Sequence, residues 1–313
     1  SVAKFTKRKY GVAVGSGTDA LYFSLRVKGI GPGSNVLCPA VSYLATAEAI
    51  KRTGATITFV DVDRKGLIAN LPATILPDAL VYVNLFGNLA DYDRLRQYCD
   101  KHKIPLIEDA AQSLGSFYKK IPSGKLGDIS SLSFAPSKPL PCFGNGGMVL
   151  TDDIEEAKFI RSLRYHGKGT GKLEHGYNSC LSNDHANVLN FLLSKYKSLL
   201  SRSKKVRQWY TKKLDDIGIS SIESRSDTTS NNHKLVIRAQ DRDGLKAFLD
   251  TKKIQTQIHY PQPMSRMKMF DTGQEMPNAE KLCQDVISLP IHPFLKKDEV
   301  LHVCDSIKEY YGV

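Results

Sequence analysis

A stretch that should be an apolar strand, "LIEDAAQS" from Leu106, ends in two carboxylates, Glu108 and Asp109, with Gln112 close behind. An acid at a strand terminus can cap the next helix or face a ligand. A second stretch, "SLSFAPSKPLP", carries Ser133 and then Lys138 off the end of another strand. A lone lysine is ordinarily a solvated surface residue. A third, "VGSGTDAL", sets Gly15 and Gly17 ahead of Thr18, where a helix can open with free amides and a dipole that favour a phosphate. Neither a full GxGxxG nor a GxxxxGK[ST] fingerprint accompanies it. In open α/β sheets, ligands bind outside the carboxyl ends of the strands, so these three ends can converge on one crevice. An anion site, a carboxylate and a loop amine are what pyridoxal 5′-phosphate requires. In that arrangement Asp109 would keep the pyridine nitrogen protonated, so that the ring could draw off the electron pair left when a proton leaves an amino acid α-carbon. Lys138, once displaced by the incoming amine, would be free to move that proton between the α-carbon and the cofactor's C4′.

The elements that must position these residues are legible as an alternation. Short β-branched runs ("NVLCP", "ATITFVDV", "ALVYVNLF", "IPLIEDA", "ISSLSFA", "GGMVLTDD") are interleaved with helical patterns over 18–28, 45–51, 91–103 and 154–164. This predicts an α/β fold with a mostly parallel, doubly wound sheet. A long basic helix follows over 186–214, with Leu189, Leu193, Tyr196, Leu200, Ser203, Val206 and Tyr210 as its apolar stripe. The polar run "IGISSIESRSDTTSNNH" then places a boundary near Asp215. The expected division is a large domain over 1–214 and a smaller α+β domain over 215–313. Helices are expected in the latter over 243–253, near 279–286, and over 297–311.

Composition sets bounds. The chain has 313 residues, 41% hydrophobic and 24% charged, so it can bury a large core and carries no disorder signature. It shows no apolar run long enough for a bilayer and no leader-like start, and a cytoplasmic protein without membrane or nucleic-acid partners is expected. Six scattered cysteines suggest neither a disulfide framework nor a metal site. The net charge of +12 suits a phosphate-bearing small molecule as well as it suits nucleic acid. The lysines and arginines of the basic helix fall largely off its apolar stripe, as on a solvated face, and no aromatic-interleaved module or helix-turn-helix pattern accompanies them.

Several segments carry a resemblance in a fixed order: "GSGTDAL", "PAVSYLATAEAI", "GATITFVDVD", "IEDAAQSLGSFY", "GDISSLSFAPSK", "GNGGMVLTDD", "LRYHG", "GYN", "IHYPQP" and "SLPIHP". Together they resemble the sugar-nucleotide aminotransferases of the DegT/StrS type, which have the aspartate-aminotransferase fold (fold type I), over nearly the whole chain. The resemblance implies a pyridoxal-phosphate enzyme that moves an amino group, from glutamate, onto a keto group of a nucleotide-linked deoxysugar. "IHYPQP" is most similar to members that aminate the third ring carbon. Lys138 stands where the family's cofactor lysine does, and relatives with histidine there are dehydratases.

The resemblance further implies that Tyr43 stacks on the pyridine, a position where a core tyrosine is the alternative. Asp109 pairs with the ring nitrogen, and Gln112 contacts the ring hydroxyl. Gly17, Thr18 and Ser133 bind the phosphate. Asn178 reaches it from the neighbouring subunit of a homodimer with shared sites, and His259 and Tyr260 lie near the sugar. His292 is read as structural. The chain departs from the family pattern in three places. Cys180 replaces the arginine usual two residues after the asparagine, "GNGG" replaces "GDGG", a smaller change, and the glycine–threonine site arrives by residue 18, so that the N-terminal helix relatives carry ahead of it is expected to be almost entirely missing. Cys180 and the short N-terminal segment leave a second reading open, a regulatory or sugar-nucleotide-binding protein on the same scaffold with impaired catalysis.

Overall fold

The computed structural model of the chain describes residues 1–169, 175–270 and 272–313. After a short helix α1 (Val2–Phe5), the strands β1 (Tyr10–Val14), β2 (Asn35–Pro39), β3 (Thr56–Val60), β4 (Ala79–Val83) and β5 (Leu106–Asp109) alternate with helices α2 (Gly17–Val27), α3 (Ala45–Arg52) and α4 (Tyr92–His102). Two short strands, β6 (Phe117–Tyr118) and β7 (Ile121–Pro122), form a ribbon before β8 (Ile129–Ser133) and β9 (Gly147–Thr151). Helices α5 (Ile154–Leu163) and α6 (Asn183–Asp216) follow. The C-terminal portion contains β10 (Thr228–Thr229), β11 (Leu235–Arg238), α7 (Arg242–Thr251), α8 (Pro277–Asp285), β12 (Val286–Leu289) and α9 (Lys297–Tyr311).

Seven strands form one sheet in the order β1-β9-β8-β5-β4-β2-β3. Strands β3, β2, β4, β5 and β8 run parallel, and β9 is antiparallel to both β8 and β1. Every residue of β4 and β5 is buried, which explains their near-continuous apolar runs: helices cover both faces, so no side need be polar. Because β1 lies beyond the antiparallel β9, it points the same way as β8. The ends of β1, β2, β4, β5 and β8 therefore open at one edge of the sheet.

Helix starts follow the local chemistry. Ser16 Oγ accepts from the Asp19 amide at 3.0 Å, Asp153 caps α5, and Ser182 caps α6. Helix α6 is longer at both ends than its hydrophobic period suggests, and its buried residues Leu189, Tyr196, Val206 and Tyr210 lie on the expected stripe. Its first half packs in a cluster with Leu114, Phe134 and Leu140, and its second half, from Val206, packs with β11, β12 and α9.

The expected helix near 279–286 spans Pro277–Asp285, and Val286 already belongs to β12, which pairs antiparallel with β11 (Leu235 opposite Leu289). A four-residue apolar run abutting a helix without Gly or Pro between them has no periodicity of its own, so this strand is invisible to pattern. The C-terminal portion is latched onto the sheet edge. Asn231 Nδ2 donates to the carbonyls of Gln112 (3.0 Å) and Leu114 (2.9 Å), and Ser116 Oγ receives the Asn231 amide while donating to Gly87 O. Gly87 has φ +92°, and a Cβ there would sit 2.0 Å from Asn231 Oδ1, so only glycine fits under the latch.

Candidate active site

The strand ends open into a cavity of about 520 Å³. Ser16, Gly17 and Thr18 line it from the start of α2, Tyr43 and Thr46 from the loop after β2 and the start of α3, and Asp109 and Gln112 from the end of β5. Ser133 and Lys138 come from the end of β8 and its loop, and His233, Lys234, His259 and Tyr260 come from the C-terminal portion. Nine of the ten residues singled out from sequence thus share one cavity. Asn178 does not line it: it lies exposed, bridged to Tyr165. His292 is exposed in a turn where its Nδ1 accepts from the Phe294 amide.

Asp109 is 4% exposed and makes no ion pair among the described residues. Its Oδ2 accepts from Thr46 Oγ1 at 2.9 Å, and its Oδ1 accepts from the Ala111 amide at 3.1 Å. Burial pushes its carboxyl above the usual range, against the pull of the Ala111 amide, the Lys138 charge and the Thr46 hydroxyl. Thr46 is itself held by Ser42 at 2.9 Å. The side chain of Lys138 likewise has no acidic partner within ion-pair distance among the described residues. Burial lowers its amine below the ordinary lysine range, and the Asp109 carboxylate opposes that shift. The two charges therefore sense each other across the cavity without touching.

The Tyr43 ring lies under the Lys138 Nζ, 5.5 Å from the ring centroid, and is 51% exposed, so it is not a core tyrosine. Gln112 is anchored by its Oε1, which accepts from the Phe86 amide at 2.9 Å, while its Nε2 donates to Tyr260 Oη at 3.1 Å. At the mouth of α2 the packing is tight: a Cβ on Gly17 would lie 2.6 Å from Ser133 Cβ, and one on Gly147 would lie 2.2 Å from Ser16 O. Strand end and helix start thus meet without room for a side chain between them, and the start of α2 and Ser133 line the same part of the cavity wall. Asp19, in the first turn of α2, is bound by Arg52 (2.6 Å) and by the hydroxyl of Ser179 (2.6 Å), and Arg52 lies between the rings of Tyr22 and Tyr177.

These residues fit pyridoxal phosphate. The α2 start and Ser133 offer the anion cradle, Asp109 is a buried carboxylate in want of a cationic partner, and Lys138 is an amine whose basicity burial lowers. A model of the DegT/DnrJ/EryC1/StrS aminotransferase family matches residues 1–308. The chain belongs to that family. A relative from Pseudomonas aeruginosa, "UDP-2-acetamido-2-deoxy-3-oxo-D-glucuronate aminotransferase", is 33% identical, the match covering 98% of this chain and 88% of its own length. A "pleiotropic regulatory protein" from Geobacillus stearothermophilus is also 33% identical, over 99% of this chain and 87% of its own. The crystal structure of a family member from Brucella abortus superposes with a TM-score of 0.94 at 31% identity, over 99% of this chain and 88% of the other. The fold is accordingly that of the aspartate aminotransferases, and the chain is a pyridoxal-phosphate-dependent sugar aminotransferase by family.

Thr46, His233 and Lys234 escaped the sequence reading. Thr46 lies one turn beyond Tyr43 in "SYLAT", and its hydroxyl could have been flagged as the partner an otherwise unpaired strand-end acid needs. His233 and Lys234 precede β11, and nothing in "NNHKLVIR" signals that the Asn231 latch brings them to the sheet edge. Burial, then the Lys234, Lys138 and His259 charges, holds the His233 imidazole well below the usual histidine range.

Proposed function

We propose that the chain transfers the amino group of glutamate to the third-carbon keto group of a nucleotide-linked sugar, using pyridoxal phosphate held in this cavity. The observation that carries the reading is the pairing of two unneutralised groups, Lys138 and Asp109, on a single cavity that also receives the tight α2–Ser133 edge. The cofactor supplies an aldehyde that condenses with amines and a protonated ring that accepts an electron pair.

The chain's own residues do the rest. Asp109, oriented by Thr46 and Ala111, keeps the proton on the ring nitrogen. Gln112 holds the ring hydroxyl, Tyr43 covers the ring face, and Gly17, Thr18 and Ser133 bind the phosphate. Lys138 fixes the cofactor between turnovers. When the substrate amine displaces it, its lowered basicity suits it to take the proton from the donor's α-carbon and to return one at C4′. His259 and Tyr260 line the sugar's side of the cavity. Asn178, outside the cavity of its own protomer, serves the phosphate of a neighbouring subunit in a homodimer.

We assign residues 1–214 to the cofactor domain and 215–313 to the smaller domain, and place the protein in the cytoplasm; no described helix is long and apolar enough to cross a membrane. A regulator on the same scaffold, as the Geobacillus relative is described, needs neither a desolvated Lys138 nor an unpaired Asp109. The test is spectroscopic and chemical. The protein with pyridoxal phosphate takes on visible absorption that glutamate bleaches, and a panel of keto-sugar nucleotides then yields a product aminated at the third carbon. A colourless protein sinks the reading, and amination at another carbon overturns the choice of position.

A further inference from the structure

Among the described residues, Asp109 is the only carboxylate lining the cavity, whereas two lysines and two histidines line it: Lys138, Lys234, His233 and His259. In the reading above, which this inference rests on, Asp109 is committed to the ring nitrogen and Lys138 to the aldehyde. Lys234 is then left over. It is half-buried, and among the described residues no acid pairs with it. Glu223, which shares with Lys234 the lining of a smaller cavity of about 260 Å³, acts on the Arg207 charge. Lys234 is not a loose surface lysine. Its amide donates to Phe86 O at 3.3 Å, and Phe86 N in turn donates to Gln112 Oε1, so its backbone is pinned to the same loop that orients Gln112. The Asn231 latch three residues earlier fixes the segment a second time.

An ammonium without an acidic partner, held at the wall of a cavity, is stabilised most by an anion on whatever binds there. The cofactor's phosphate goes to the α2 edge. We propose that Lys234 is a specificity-determining residue that pairs with a carboxylate of the substrate. Two substrates could bring that carboxylate: the amino donor, through its side chain, or the sugar, if it is a uronate.

Burial and then the Lys138 charge push the Lys234 amine below the ordinary lysine range, and the Lys234 charge helps depress His259. His259 is therefore a reporter. In the full chain without cofactor, the NMR titration of His259, assigned with His259→Gln, is followed with glutarate and with UDP-N-acetylglucosaminuronate. Whichever source Lys234 reads raises the His259 midpoint; in Lys234→Met the midpoint is already raised and neither ligand moves it. In the cofactor-loaded enzyme, Lys234→Met weakens either glutamate relative to glutamine, or the uronate relative to UDP-N-acetylglucosamine, by about tenfold or more in KM with kcat little changed, and Lys234→Arg restores it. A loss confined to glutamate assigns the donor, and a loss confined to the uronate assigns the sugar. If both ligands leave the wild-type His259 midpoint in place, or both KM ratios stay within twofold, Lys234 does not read a carboxylate. The titration needs no cofactor, so a protein that fails to take up pyridoxal phosphate defeats the function proposed above and leaves the Lys234 result standing on its own.

Discussion

Glu108 and Asp109 are neighbours in β5 that face opposite sides of the sheet. Glu108 is fully buried and accepts from Asn84 (2.9 Å), Ser123 (2.8 Å), Ser130 (2.7 Å) and the amides of Gly124, Leu126 and Gly127. Asp109 faces the cavity with two acceptor bonds. The twofold period of a strand separates them: one carboxylate organises a loop, and the other is kept for a ligand. Glu108→Ala strands six donors and is expected to lower stability by at least about 3 kcal/mol. Asp109→Asn removes a buried charge, so the cofactor-free protein should melt within about 1 kcal/mol of wild type or above it, while transamination falls by about 10²-fold or more. Urea titration alongside rate measurement separates the two effects. A stable Glu108→Ala protein would overturn this division.

Lys138→Ala should abolish both the visible absorption change on cofactor addition and its bleaching by glutamate, with transfer reduced by at least about 10³-fold. Stability should not suffer, because the wild-type amine is desolvated without an acidic partner. Stopped-flow absorbance and thermal melting of the same samples provide the check.

Gly17→Ala places a methyl 2.6 Å from Ser133 Cβ. Strand end and helix start must separate, at about 1–3 kcal/mol. The anion cradle sits on that seam, so titration with pyridoxal phosphate should show an affinity loss of about tenfold or more. An unchanged affinity would place the phosphate elsewhere.

The His259 imidazole is held at about 4, first by burial and then by the Lys234 and Lys138 charges. It stays neutral across physiological pH and cannot set an activity limb there. Between that value and the ordinary 6.5, the unfolded chain binds a proton that the folded chain refuses. Stability therefore falls as pH drops through this window. The difference in urea midpoint between pH 7 and pH 5 should be smaller in His259→Gln than in wild type.

The sheet was legible because buried parallel strands leave continuous apolar runs, and the cavity was legible because its chemistry follows those runs directly, as in "LIEDAAQS" and "SFAPSK". What was illegible came from distant pairings. Strand β12 abuts a helix without punctuation, and His233 and Lys234 reach the cavity through hydrogen bonds from Asn231 to carbonyls 117 and 119 residues earlier. Thr46 was hidden for a different reason: a hydroxyl within a helix reads as ordinary until the carboxylate above it is seen to be buried.

Helix α6 is one rod of 34 residues, about 50 Å long. Its Leu189 and Tyr196 are embedded in one cluster, and its Val206, Tyr210 and Leu214 in another. Heat or denaturant cannot melt one cluster without fraying the shaft that anchors the other. A single sharp calorimetric transition should result, and a chain severed after residue 214 would be sticky, with a naked aromatic and aliphatic ridge at its new end.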